Sequence, residues 1–195
     1  GDLHDPYRNA NIKEGDKRNL DHVISAKEVH NDAGRILAEL NGTQLANQDS
    51  NLQSTHETVN KSKSATSIDA YLEKLPGTIS THETTLARKR QKLENHPRST
   101  PQQQHEVRKL EDDIRKTENK IQQLKDIDPD SMRRRDAEAR KPYEHQINRS
   151  YYTSSKFLKQ TGKASGMAGL KMGTRQMLGL IMAEVWFELR KQIPE

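Results

Sequence analysis

The chain contains no cysteine. That excludes disulfides, thiolate metal sites and cysteine nucleophiles together, and it fits a reducing compartment. The expected location is cytoplasmic. Aromatic residues are scarce at 4%, which argues against a large aromatic-rich β-sandwich. Hydrophobic residues make up 30% of the 195 positions and charged residues 31%, too polar a balance for one large core. Long hydrophobic runs are missing too. The one strongly apolar segment, Met177–Leu189, is too short to cross a bilayer and contains Glu184. It reads as a buried or interface helix, with no membrane span. No signal peptide is visible, and a chain that begins with Gly rather than Met reads as a piece of a longer protein.

What is present is unevenly charged. Residues 1–75 hold 9 Lys+Arg and 12 Asp+Glu, a net of −3, and the remainder holds 24 and 16, a net of +8. A basic half points to a polyanion, nucleic acid first. A solvated helical surface would show the same imbalance. The run Arg133, Arg134 and Arg135 is the densest basic stretch and the first candidate for phosphate contact.

Along the chain, residues 1–17 are polar and read as an irregular lead-in. Asn19–Ile24 and Asn51–Thr55 are short β-prone runs. Asp32–Leu40 reads as a helix stopped by Asn41-Gly42. A helix is expected from Thr55 or His56 through Asn60, Lys61 and Lys63. Ser67–Leu75 adds a turn or two before Pro76-Gly77 breaks the chain. Beyond it, Ile79, Leu86 and Leu93 are spaced by sevens. Val107, Leu110, Ile114, Thr117, Ile121 and Leu124 step by alternating threes and fours, a coiled-coil seam. An antiparallel hairpin over 79–126 follows, then a basic helix over 130–150 with Tyr143, Ile147 and Tyr151 as its apolar stripe and Pro142 as a kink point. An apolar helix over about 167–192 comes last. The recurring Gly162, Gly166, Gly169, Gly173 and Gly179 fit close helix approach or flexible, capped segments equally.

Two strings carry chemistry: Asp21-His22-Val23-Ile24, and Asn51-Leu52 followed by Asn60-Lys61-Ser62-Lys63. Together they resemble the HNH nuclease family. The first is similar to its Asp-His strand end, the second to its stretch where a strand turns into a helix. Eight residues lie between Asn51 and Asn60, the interval associated with the HNH domain of RNA-guided CRISPR nucleases. The resemblance covers about a quarter of the chain and none of residues 76–195. It implies two antiparallel strands and a helix gripping one divalent ion, magnesium first and manganese next. Such hard ions accept oxygen ligands and keep several waters, so one carboxylate and one amide oxygen suffice.

By that resemblance Asp21 and Asn60 are the metal ligands. His22 is the general base, on the opposite face of the strand, and histidine is the residue type suited to that work near neutral pH. Asn51 braces the loop holding His22. Lys61 and Lys63 would meet phosphates. His56, four residues before Asn60, is either an added metal or phosphate contact or a polar helix start. The chain departs from the family in having Asn60 where many members have His, a variant known there. It also has a longer gap between His22 and Asn51, and no cysteine pair for structural zinc. The gap would be held by packing through Ile36, Leu37, Leu40 and Leu45.

The expected fold is α+β and mostly helical, with a nuclease unit in 1–75 and a helical region in 76–195. The expected function is metal-dependent endonucleolytic cleavage, of DNA before RNA, one strand per site. The setting would be an effector of phage defence, a toxin or a mobile element. A homodimer through the heptads or the C-terminal helix would allow double-strand cleavage. The rival is a non-catalytic helical binding or assembly module with a degenerate HNH unit.

Overall fold

The computed structural model describes residues 3–154 and 172–190. It is α+β and mostly helical, with two small antiparallel strand pairs. The chain forms two compact units. One holds the N-terminal residues to Asp21 together with Gln53–Arg135. The other holds His22–Leu52 and the described residues from Asp136 onward.

In the first unit, β1 (His4–Asp5) pairs with β2 (Ala10–Asn11), His4 opposite Asn11. Asn9 takes the left-handed backbone that closes this turn, which asparagine tolerates well. The polar lead-in is thus an ordered hairpin. It is anchored by Tyr7, fully buried, whose carbonyl accepts from Asp128 N at 3.0 Å. β3 (Arg18–His22) pairs with β4 (Leu52–His56). Glu57 N donates to Lys17 O and Val23 N to Asn51 O. This antiparallel register sets Asp21 directly opposite Gln53 and Asn19 opposite Thr55. α4 (Glu57–Lys63) starts immediately after β4, with the His56 imidazole accepting from Thr58 N as its N-cap.

α5 (Ile68–Glu94) and α6 (Pro101–Lys125) form the antiparallel hairpin. Thr100 and Gln103 form a capping box and Pro101 opens the helix, as the missing amide of proline allows. The seam residues Val107, Ile114, Thr117, Ile121 and Leu124 are buried, while Ile79, Leu86 and Leu93 are half-buried. Lys89–Asp113, Arg90–Glu118 and Lys125–Glu83 cross between the helices at 2.8, 2.6 and 2.6 Å. The heptad seam is therefore used within the chain. Pro76 does not break α5, which runs through it. Proline removes one hydrogen bond to the carbonyl of Leu72 and costs about 3 kcal/mol in a helix interior. Burial of Ile68, Tyr71, Leu72 and Leu75 at the start of α5 offsets that cost.

In the second unit, α1 (Ala26–Asn31), α2 (Ala33–Leu37) and α3 (Gly42–Ala46) fill the long gap between the two motif strings. Asn41 caps α3, so Asn41-Gly42 opens a helix where a stop was expected. Val29, Ala38, Leu45 and Ala46 are buried here, whereas Ile36 and Leu37 are exposed and do not hold the loop. α7 (Pro129–Thr153) begins in the first unit and continues in the second. Its start is capped by the Asp128 carboxylate, which accepts from Asp130 N and Ser131 N. Arg140 bonds Glu28 at 2.7 Å and Asp136 at 2.8 Å, and these partners outweigh partial burial to raise its pKa. Tyr143 and Ile147 are buried as the stripe requires, and Tyr151 is half-buried.

α8 (Met172–Arg190) meets α7 through His145 and Glu184, 2.8 Å apart. Gly179 lies against the Tyr152 carbonyl, where an added Cβ would collide. Ala183 is buried, but Met177, Leu178, Ile181, Met182, Val185 and Trp186 are exposed, so α8 is not a buried helix. Gly162, Gly166 and Gly169 lie outside the described residues. Among the described residues no helix is long and apolar enough to cross a membrane.

Candidate functional site

Asp21 sits on the buried face of β3, 4% exposed. Both carboxylate oxygens are engaged. Tyr7 donates its hydroxyl to Oδ2 at 2.7 Å, and the Lys63 ammonium donates to Oδ1 at 3.2 Å. Lys63 is itself fully buried. The resemblance implies that it meets phosphates; in the structure it meets a carboxylate inside the protein. A buried ion pair survives only with good geometry and added hydrogen bonds, and the Tyr7 hydroxyl supplies one. Asn60 is half-buried on α4, three residues before Lys63 and so on the same helix face. The helix face that carries Asn60 thus reaches the carboxylate of Asp21 through Lys63.

Lys61 points elsewhere. It is exposed and pairs with Glu57 at 2.7 Å, one helical turn away, which lowers the Glu57 pKa. His56 is buried. Its backbone amide donates to Asp5 Oδ2 at 3.0 Å and its Nδ1 accepts from Thr58 N. Burial, reinforced by Arg8 and opposed by Asp16, keeps its pKa below the ordinary histidine value. A neutral, capping imidazole is the polar helix start that formed one of the two readings. Asp5, also fully buried, takes hydrogen bonds from Tyr7 N, Thr55 Oγ1 and His56 N, and so fixes the end of β4.

In the second unit, His22 is half-buried, and its Nε2 lies 2.9 Å from Asn47 Oδ1. Asn51 is buried in the same unit. Its Oδ1 accepts from Ile24 N at 2.8 Å, and its Nδ2 donates to Ile24 O and Ala46 O at 3.0 and 2.9 Å. One carboxamide therefore ties the backbone just after His22 to the end of α3.

The basic run lies on the first unit's part of α7. Arg133 is exposed and within 3.6 Å of both Asp69 and Asp130, Arg134 is exposed, and Arg135 is half-buried.

Tyr7, Asn47 and Gln53 were not singled out by sequence. Tyr7 and Asn47 sit among polar residues with no pattern to mark them. Gln53 adjoins the Asn51-Leu52 string and could have been read by strand alternation as sharing the face of Asp21. It is 8% exposed, and neither Oε1 nor Nε2 of its carboxamide has a hydrogen-bond partner among the described residues.

The donor chemistry here suits a hard divalent ion: a carboxylate that already holds a positive charge, a carboxamide on the contacting helix face, and a second, unsatisfied buried carboxamide. Among the described residues no three His, Cys, Asp or Glu side chains are grouped to hold a metal. A set of one carboxylate and one carboxamide has only a single member of that kind. Comparisons with protein-family models, curated proteins and solved structures return no match.

Proposed function

We propose that this chain is a metal-dependent endonuclease of the HNH type, hydrolysing phosphodiester bonds in nucleic acid, DNA before RNA. One observation supports the reading most: the helix carrying Asn60 sets a cationic side chain against the Asp21 carboxylate, so the two ligand-bearing elements meet around a positive charge. Asp21 and Asn60 would hold the ion. When bound, a divalent ion supplies charge neutralisation at the phosphate and at the departing oxygen. His22, the next residue in the chain, takes the proton from the attacking water, and Asn47 orients its ring. Asn51 fixes the backbone that follows His22. The arginines at the start of α7 bind phosphates as part of the basic half. One ion and one base act on one strand, so the product is a nick, and the resemblance to HNH nucleases implies 3′-hydroxyl and 5′-phosphate ends. An effector role in phage defence, a toxin or a mobile element suits such an activity, and the exposed apolar residues of α8 offer a surface for assembly.

A second reading has its own observation. Asp21 is buried, with both oxygens already engaged. That favours a structural ion pair in a non-catalytic binding or assembly module. One experiment separates the two. The full chain is incubated with supercoiled plasmid, single-stranded DNA and RNA, with magnesium, manganese or EDTA. The nuclease reading expects nicked circles that need the metal, lost in Asp21→Asn and weakened in Asn60→Ala while both variants stay folded. Intact substrates under every condition would leave the structural reading.

A further inference from the structure

We propose that Gln53 is a further oxygen donor to the divalent ion, and that the ion replaces the Lys63 ammonium at Asp21. The inference rests on the metal reading above and extends it to a residue that the motif does not include. The argument begins with register. Glu57 N bonds Lys17 O and Val23 N bonds Asn51 O, so Asp21 and Gln53 face each other across the strand pair. Directly opposed residues have Cβ atoms about 4.5–5.5 Å apart. From that spacing, both side chains can place an oxygen on one ion at the roughly 2.0–2.6 Å that hard cations require.

The second step is satisfaction. Buried carboxamides are almost always hydrogen-bonded, because an unpaired one forfeits its water without replacement. Gln53 is more than nine-tenths buried and both of its polar atoms lack a partner. The Lys63 ammonium, 3.2 Å from Asp21, satisfies the carboxylate and does not reach Gln53. A monovalent, protein-borne cation thus serves one side of the strand pair and leaves the other side bare. A divalent ion with its retained waters serves both: Oε1 coordinates it directly or accepts from one of its waters. Lys63 is the last residue of α4 and carries its ammonium on a flexible four-carbon stem, which lets the charge be displaced without moving the strands.

The test uses Gln53→Met, which keeps length and volume while removing the polar atoms, and Gln53→Glu, which adds a charge opposite Asp21. Manganese alone is the probe, followed by calorimetry and by the melting temperature in manganese and in EDTA. Gln53→Met should melt in EDTA at or above the wild-type temperature, because it removes an unsatisfied group. It should bind manganese about 10–100-fold more weakly, the usual loss for a supporting group at a metal site. Gln53→Glu should melt lower than wild type in EDTA and regain that loss in manganese, because the ion separates two carboxylates. A Gln53→Met protein that binds manganese as the wild type does would overturn the role of Gln53 while leaving the metal at Asp21. A Gln53→Met protein that is destabilised in EDTA would mark Gln53 as structural and also overturn it. A folded wild type that binds no manganese would remove the metal reading itself, and this inference with it.

Discussion

Asp21 and His22 are neighbours in sequence, yet opposite physics holds them. Asp21 is gripped by charge: a fully buried ammonium and a phenol, brought from 42 and 14 residues away. The hydrogen bonds given around His22 are to carboxamides. The carboxamide oxygen of Asn47 meets its ring, and the Asn51 carboxamide spends both donors and one acceptor site on the backbone of Ile24 and Ala46. Under the proposed function the first arrangement would exchange its ammonium for a metal ion, and the second would hold the base in position.

The comparison breaks most sharply at Lys63. Lys63→Met strands a buried carboxylate, and breaking such a pair costs about 3–5 kcal/mol. Urea denaturation should register that loss in EDTA, and manganese should restore part of it if Asp21 binds the ion. A loss below about 1 kcal/mol would mean that Asp21 is not dependent on charge. The neutral side should lose stability too. Asn51→Ala leaves an amide and two carbonyls without their side-chain partner, at about 1–3 kcal/mol for each that water does not reach, and manganese should not restore that loss. Recovery with metal in Asn51→Ala would erase the distinction between the two environments.

A smaller effect concerns His56 and pH. Its pKa is lowered in the folded chain, chiefly by burial. The unfolded chain therefore takes up a proton at that site first, near the ordinary value of about 6.5. Stability from this group is present above that pH and is lost as pH falls through it toward the lower folded value. Protonation also takes away the Nδ1 lone pair that caps α4. His56→Asn, a capping residue that does not titrate, should flatten stability between about pH 7 and pH 5. An unchanged slope in chemical denaturation would assign the acid sensitivity elsewhere.

The smallest effect on the fold is expected at Arg133, Arg134 and Arg135, because the pairs of Arg133 are exposed at 3.6 Å and such pairs contribute about 0–1 kcal/mol. Changing all three to Gln should leave stability near wild type and weaken DNA binding across sequences alike. The salt slope should flatten by up to about 2–3 units if all three meet phosphate. Unchanged affinity and slope would make the run a solvated face.

The sequence was most legible where one local period decides the structure. The spacing of Val107 to Leu124 marks a buried seam, and the burial follows it. The strings around Asp21 and Asn51 mark two strands with a helix after the second, and β3, β4 and α4 lie there. Exposure was not legible, because it depends on what arrives from elsewhere in the chain. Lys63 looks the same in sequence whether it meets phosphate or Asp21, and Tyr7 gives no sign that it will reach a carboxylate 14 residues on. Pro76 and Ile36 misled in opposite directions. Packing carried a helix through a proline, and two aliphatics at the end of the short helix α2 stayed exposed. Gln53 was hidden by the motif beside it, since a string match names residue types and is silent about unsatisfied atoms.

The central claim is the proposal that His22 is the base of a metal-dependent nuclease and Asp21 a ligand of its ion. It is tested most directly by the nicking rate of His22→Ala on supercoiled plasmid at saturating manganese, measured with its manganese affinity. The account predicts a rate lower by about a hundredfold or more, with affinity and melting temperature as in the wild type. Wild-type nicking by the variant, or a folded wild type that never nicks, would contradict it.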